Sequence, residues 1–106
     1  MSQPLRILAQ LNPAATTETD LLLAANPLVI SGILVCNQSS SSGTFNLVLS
    51  PLGLASDTTM ILYYNTEILG YSTFMINSGI TLSKGDVLRC ESSNGTMSFN
   101  VFGQEQ

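Results

Sequence analysis

The stretch from Leu28 to Asn37, Leu-Val-Ile-Ser-Gly-Ile-Leu-Val-Cys-Asn, decides the fold. Neighbouring side chains in a strand point in opposite directions, so this run is apolar on both faces of an extended chain. A strict alternation places Leu28, Ile30, Leu34 and Cys36 on one face and Val29, Ile33 and Val35 on the other. Bounded by Pro27 and by a serine-rich segment, the run predicts a central strand that is covered on both sides.

Shorter segments of the same kind lie on either side of this strand, separated by Gly, Pro, Ser, Thr and Asn. Further strands are predicted at Pro4 to Gln10, Asp20 to Ala24, Thr44 to Ser50, Met60 to Ile68, Tyr71 to Asn77, Val87 to Ser92 and Thr96 to Gly103. About eight short strands with frequent turn signals are typical of an all-β protein. The fold class predicted is an antiparallel β-sandwich, either jelly-roll or immunoglobulin-like.

Two turns carry specific expectations. Asn94-Gly95 predicts a type I′ hairpin turn between the last two strands, because both residues tolerate positive φ. In Ser83-Lys84-Gly85-Asp86, Gly85 supplies the positive φ and Asp86 caps backbone amides. Residues 1–12 are predicted to be an N-terminal arm or edge strand, and residues 13–106 a single sandwich domain.

The composition excludes several functions. Only 9% of the 106 residues are charged, the formal net charge is −4, and histidine is absent. Three cations are too few for sequence-independent nucleic-acid binding, and a chain without histidine has no His-based triad or His metal ligand. The longest apolar run is far shorter than the ~20 residues that span a bilayer, and the first residues show no secretory signal. We therefore predict a non-enzymatic protein without cofactor, metal, nucleic acid or membrane, in which the neighbouring Glu18 and Asp20 are solvated.

The alternation also predicts the core and the state of the thiols. Nearly full burial is expected for Ile30, Leu34, Cys36, Phe45, Leu47, Leu49, Leu88, Phe99 and Val101. The chain has two cysteines, Cys36 and Cys90, which are too few for a disulfide framework. We expect both to be free thiols inside the sandwich, because buried cysteine behaves as a small hydrophobe.

The candidates for contact with other proteins are apolar residues of the N-terminal arm and aromatic side chains expected to face outward. Tyr63 and Tyr64 are neighbours, so one must face the core while the other faces out. The predicted contact residues are Leu5, Ile7, Leu8, Tyr64 and Phe102. The arm to which the first three belong either adds as an edge strand to an adjacent chain or pairs within its own domain.

Several motifs resemble those of one group of proteins. They are Val-Cys-Asn at 35–37, Thr-Phe-Asn-Leu-Val-Leu-Ser-Pro-Leu-Gly at 44–53, Ile-Leu-Tyr-Tyr at 61–64, Gly-Ile-Thr-Leu-Ser-Lys-Gly-Asp-Val at 79–87 and Met-Ser-Phe-Asn-Val-Phe-Gly at 97–103. Over residues 16–105 the chain resembles small virion proteins of tailed bacteriophages, notably those that infect cyanobacteria and marine bacteria. It departs from them at residues 21–27, where related chains often carry a Tyr-Thr-Val-Pro-type strand.

This resemblance implies a structural subunit of a tailed-phage virion, assembled in the host cytoplasm. A capsid cement or decoration role is the first expectation. A tail, baseplate or fibre accessory protein, or a carbohydrate- or receptor-binding module, is the alternative. The implied partners are the major capsid protein or tail and baseplate proteins, together with further copies of the chain in a homo-oligomer.

Overall fold

A computed structural model describes residues 5–77 and 79–105 of the chain. The described residues form nine strands and two short 3-10 turns. The strands are β1 (Arg6–Leu11), β2 (Thr19–Leu23), β3 (Leu28–Asn37), β4 (Gly43–Ser50), β5 (Ile61–Ile68), β6 (Thr73–Ile76), β7 (Ile80–Leu82), β8 (Val87–Ser92) and β9 (Met97–Glu105). The predicted strands are confirmed, with ends shifted by no more than two residues. The three-residue strand β7 was not predicted.

The strands form two antiparallel sheets, as the sandwich prediction requires. Sheet A has the order β1-β9-β3, with β6 and β7 end to end along the remaining edge of β3, and sheet B has the order β2-β8-β4-β5. The pairs β1–β9, β2–β8, β3–β6/β7 and β4–β5 are nested one inside the next along the chain. This wrapped arrangement is that of a jelly roll, so the topology selects the first of the two predicted sandwich types.

The core lies between the sheets and is centred on one aromatic ring. Phe45 of sheet B stacks on Tyr63 with ring centroids 6.1 Å apart, and it meets Phe74 and Phe99 of sheet A edge-to-face at 5.5 and 5.9 Å. Offset and edge-to-face pairs of this kind add to the free energy of burial. The prediction that one of the two adjacent tyrosines faces inward is confirmed, since Tyr64 is 66% exposed.

Six of the nine predicted core residues are fully buried: Ile30, Phe45, Leu47, Leu88, Phe99 and Val101. The assignments of Leu34 and Cys36 were wrong, because both are only half-buried. The cause is a bulge in β3 against β9, where the register shifts between Ile30 and Gly32. One extra residue reverses the alternation, so Ile33 and Val35 enter the core in place of Leu34 and Cys36.

Leu49 is also only half-buried, although it does pack against the core.

The two cysteines are free thiols, as predicted, but they differ in environment. Cys90 lies in the core, where burial raises the pKa of its thiol to about 12. Cys36 was wrongly predicted to be buried; the bulge in β3 turns it to the outer side of sheet A.

The two turn predictions have opposite outcomes. The Asn94-Gly95 hairpin was wrong, because β8 and β9 lie in different sheets and neither residue has positive φ. Asn94 instead accepts hydrogen bonds at Oδ1 from both the amide and the hydroxyl of Thr96, each at 2.9 Å. The other turn is confirmed: Gly85 has φ of 94°, and Asp86 accepts a hydrogen bond from the Ser83 amide at 2.9 Å.

The described part of the N-terminal arm forms β1, which pairs with β9 of its own chain from Arg6↔Gly103 to Leu11↔Phe99. This arrangement corresponds to the alternative in which the arm belongs to its own domain. Pro4, the predicted start of the strand, lies outside the described residues. The helical segments among the described residues are three residues long, and no helix there is long and apolar enough to cross a membrane.

Candidate functional site

The outer side of sheet A carries a surface without charge. Residues directly opposite each other in an antiparallel ladder share a face, and the register joins Ile7 to Phe102, Gln10 to Asn100, Leu34 to both Asn100 and Met75, and Cys36 to both Ser98 and Thr73. We call this surface the neutral face. Its residues are Ile7, Gln10, Leu34, Cys36, Thr73, Met75, Ser98, Asn100 and Phe102.

The apolar part of the neutral face runs across all its strands and is open to solvent. Met75 is 65% exposed and Ile7 is 51% exposed, while Leu34, Cys36 and Phe102 are half-buried by their neighbours in the sheet. Single exposed hydrophobic residues are common on protein surfaces, but a contiguous apolar patch marks a site of interaction.

Three of the polar side chains of the neutral face take part in side-chain hydrogen bonds. The Gln10 amide donates to Asn100 Oδ1 at 2.8 Å, and the Gln38 amide at the end of the face donates to Ser98 Oγ at 3.4 Å. A group that is already paired loses less when water leaves than an unpaired group does. The pairing of Gln10 with Asn100 therefore lowers the cost of covering the neutral face.

The charged residues of the chain, seven acidic and three basic, are all described, and none occupies a register position of the neutral face. Arg6 and Glu105 pair with each other at 2.6 Å near one end of sheet A, at positions of the opposite alternation. The carboxylates of Glu18, Asp57 and Glu91 lie together around a cavity on the other sheet. The two sides of the sandwich are thus electrostatically different.

Residues 51–60, which we call the covering loop, lie over part of the outer side of sheet B. Arg89 of β8 holds this loop in place: its guanidinium donates to the carbonyl oxygens of Gly53 at 3.2 Å and Leu54 at 2.9 Å, and to Ser56 Oγ at 2.9 Å. The same guanidinium forms an ion pair with Asp20 at 2.9 Å. Val48 of β4, although it has outward alternation, is consequently buried.

A cavity of about 260 Å³ lies between the covering loop and sheet B. Its wall includes Tyr64, Asn46 and the acidic residues Glu18, Asp57 and Glu91. Hydrogen bonds from the side chain and backbone of Thr59 hold the pKa of Asp57 below its usual value. No group of three residues suited to hold a metal ion occurs in the described part of the chain.

Glu18 and Asp20, the neighbouring carboxylates of the sequence, have separate partners. Glu18 accepts a hydrogen bond from Ser56 Oγ at 2.7 Å, whereas Asp20 is bound by Arg89. The arrangement ties strand β2 and the residues before it to the covering loop. Both carboxylates therefore have a structural role at the edge of sheet B.

The predicted contact residues are distributed over both sides of the molecule. Ile7 and Phe102 are cross-strand neighbours on the neutral face. Leu5 precedes β1 and is 69% exposed, while Leu8 is half-buried against the core. Tyr64 lies on the opposite sheet, at the cavity beneath the covering loop.

Three residues of these surfaces could not be found from the sequence. Leu34 and Met75 join the neutral face only because the bulge in β3 turns Leu34 outward and β6 places Met75 opposite it. Arg89 holds the covering loop, but nothing in the local sequence pattern indicates this role. Only the outward position of Leu34 had a signal in the sequence, because Ser31-Gly32 interrupts the apolar run at the position of the bulge.

Comparisons with protein-family models, curated proteins and solved structures find no match to this chain.

Proposed function

We propose that this protein is a non-enzymatic structural subunit of a tailed-phage virion that serves as a capsid cement or decoration protein. In an alternative form of this proposal, the protein is an accessory subunit of the tail, baseplate or fibre instead of the capsid. The observation that carries the proposal is the neutral face, an apolar and uncharged sheet surface on a protein that is otherwise acidic. Its partners in such a particle are the major capsid protein or tail and baseplate proteins, and further copies of the chain.

The energetics of the neutral face suit permanent burial. Covering apolar surface contributes about 25 cal/mol per Å², and the usual opposing cost is the desolvation of charges. On the neutral face this cost is small, because no ion has to lose its water and Gln10 and Asn100 are hydrogen-bonded to each other. A subunit of a shell gains from such a surface, since it has to remain attached rather than exchange.

Two further considerations support the proposal. The sequence motifs resemble those of small tailed-phage virion proteins over most of the chain. Jelly rolls also recur in viral capsid proteins, although they are equally known in lectins, and a fold alone does not determine function. The proposal therefore depends on the neutral face, with the fold and the resemblance in support.

Counting copies of the protein in purified phage particles tests the proposal. Quantitative mass spectrometry against the major capsid protein should find tens to hundreds of copies per particle for a cement protein. Antibody labelling in electron micrographs should then mark the shell. A few copies at the tail would indicate the tail variant, and absence from intact particles would refute a virion role.

The cavity beside Tyr64 favours a second candidate function, a carbohydrate- or receptor-binding module. An exposed aromatic ring next to carboxylates and the Asn46 amide offers both a stacking surface and hydrogen-bonding groups for a sugar. Binding of the isolated protein to a glycan array or to host cells tests this candidate. Binding should be lost in Tyr64→Ala and retained in Tyr71→Ala, which removes an exposed tyrosine elsewhere.

A further inference from the structure

We propose that the neutral face binds a second copy of the same chain, face to face across a two-fold axis. The inference rests on the proposed function, because it identifies the binding partner of the neutral face, from which that function was argued. Three properties of the face support it: the distribution of charge, the size of the face, and the pairing of its polar groups.

The charge distribution favours a second copy. Two molecules of net charge −4 repel each other, and the repulsion is greatest where Glu18, Asp57 and Glu91 would meet. Contact through the neutral faces places these carboxylates on the two far sides of the dimer. The shortest dimension of the sandwich is 19 Å, so they are separated by about two such thicknesses, well beyond the Debye length of about 8 Å at physiological salt.

A charged partner would require complementary charges on the neutral face. Interfaces with a basic or an acidic protein are steered by complementary charges, which suppress binding to other partners. The neutral face offers no charge for such a partner to recognise. A copy of the chain presents the same uncharged surface, and a two-fold contact brings each surface onto its equivalent.

The molecule is wide enough to offer a surface of the size that a stable contact needs. The two longer dimensions of the molecule are 43 and 29 Å, and a specific interface needs about 800 Å² from each partner. Two sheets pack face to face at about 10 Å, with their strands turned by about 30°. In such packing, Met75 and Phe102 of one copy enter the spaces between side chains of the other.

Several polar groups on and beside the face are hydrogen-bonded within each copy. The Gln10–Asn100 hydrogen bond is formed within each copy, and Ser31 Oγ at the edge of the face donates to the Phe102 carbonyl oxygen at 3.2 Å. Polar groups that are unpaired in an interface weaken it, whereas these are paired before association. In this inference, apolar contact supplies the main attraction between the two copies.

The oligomeric state in solution tests this inference directly. The full chain is studied by sedimentation velocity and light scattering from about 1 to about 200 µM. The mass should rise from 11.3 kDa to twice this value with concentration. Met75→Lys and Ile7→Lys should each raise the dissociation constant at least about tenfold, since lysines on both copies would lose their water at the interface.

The matched control is Leu69→Lys, because Leu69 and Met75 are equally exposed at 65% and only Met75 lies on the neutral face. This variant should dimerise like the unchanged protein. Circular dichroism and thermal unfolding of all variants at low concentration verify that they are folded. If Leu69→Lys abolishes the dimer while Met75→Lys and Ile7→Lys retain it, the contact lies elsewhere and the inference is wrong.

Cys36 gives an independent measurement without any substitution. Its half-exposed thiol lies on the neutral face, so its alkylation should slow as the concentration rises and the dimer forms. A monomer at about 200 µM with a constant alkylation rate would overturn the inference. If such a monomer is nevertheless abundant in phage particles, the proposed function stands and only the identity of the partner fails.

Discussion

The buried amide of Asn37 provides the sharpest test of how this fold is held together. Asn37 is the last residue of β3, and its side chain is fully buried. Its Nδ2 group donates to the carbonyl oxygens of Ser41 at 2.9 Å, Ile68 at 3.1 Å and Leu69 at 3.3 Å, and its Oδ1 accepts from the Ser39 amide at 3.0 Å. One side chain thus connects β3 to two loops at the same end of the sandwich.

We predict that Asn37→Ala lowers the free energy of unfolding by about 3–5 kcal/mol. The substitution removes four hydrogen bonds to backbone groups, of which the Ile68 carbonyl is the most deeply buried. The Leu69 carbonyl oxygen keeps the hydrogen bond that it accepts from the Ser72 amide at 3.1 Å. A buried unsatisfied group costs about 1–3 kcal/mol, and the part-buried groups regain some hydrogen bonding from water. For a domain of this size the midpoint of thermal unfolding should fall by more than about 10 °C.

Urea unfolding at low protein concentration measures this loss, because association would add its own contribution at high concentration. Asn26→Ala removes an exposed amide in a loop and serves as the control, with an expected loss within about 0.5 kcal/mol. If Asn37→Ala loses less than about 1 kcal/mol, the reasoning from burial and hydrogen-bond count is refuted.

Asn37→Asp separates the hydrogen bonds from the shape of the side chain. The aspartate keeps the acceptor for Ser39 but places a carboxylate against three carbonyl oxygens. Burial and these oxygens raise the pKa of the new carboxyl in the folded state above its unfolded value of about 3.9. The variant should therefore be least destabilised below about pH 4 and should lose stability as the pH rises.

Three further predictions concern single positions. Gly103→Ala should destabilise the protein severely, because an added Cβ would lie 2.1 Å from a β3 carbonyl oxygen. Gly79→Ala should be tolerated, because no atom lies within 4 Å of the added Cβ. Thermal unfolding of the two variants measures the difference. Iodoacetamide at about pH 8 should modify Cys36 but not Cys90 in the native protein. After denaturation it should modify both cysteines. Rapid modification of Cys90 in the native protein would contradict its burial. Arg89→Ala should release the covering loop and accelerate its cleavage by a protease of broad specificity, with an unchanged cleavage rate counting against its role as the anchor.

The extent of each strand could be predicted from the sequence, but not always the direction of its side chains. Leu28 to Asn37 was predicted with both ends correct, since apolar alternation and flanking turn residues are local properties. The bulge at Ser31-Gly32 depends on how β3 pairs with β9, a strand far away in the chain. A shift of one residue moved Cys36 from the predicted core to the neutral face.

The candidate site was predictable to a similar degree. Ile7 and Phe102 were both predicted to be contact residues, and the register places them opposite each other. Their neighbour Met75 was not expected, because its place beside Leu34 follows from the pairing of β3 with β6. The role of Asn37 was equally hidden, since its hydrogen-bond acceptors in β5 and beyond lie 31 and 32 residues away.

The nested pairing of the strands also has a kinetic consequence. The pair β4–β5 is joined by the covering loop alone, whereas β1 and β9 bring together residues up to 99 positions apart. Closing a long loop costs more conformational entropy than closing a short one, and chains with many distant contacts fold slowly. We expect folding to begin at β4–β5 and to reach β1 last. Until β1 is in place, β9 presents an unpaired edge, and at that stage the β1 strand of another chain can occupy it and form a swapped dimer.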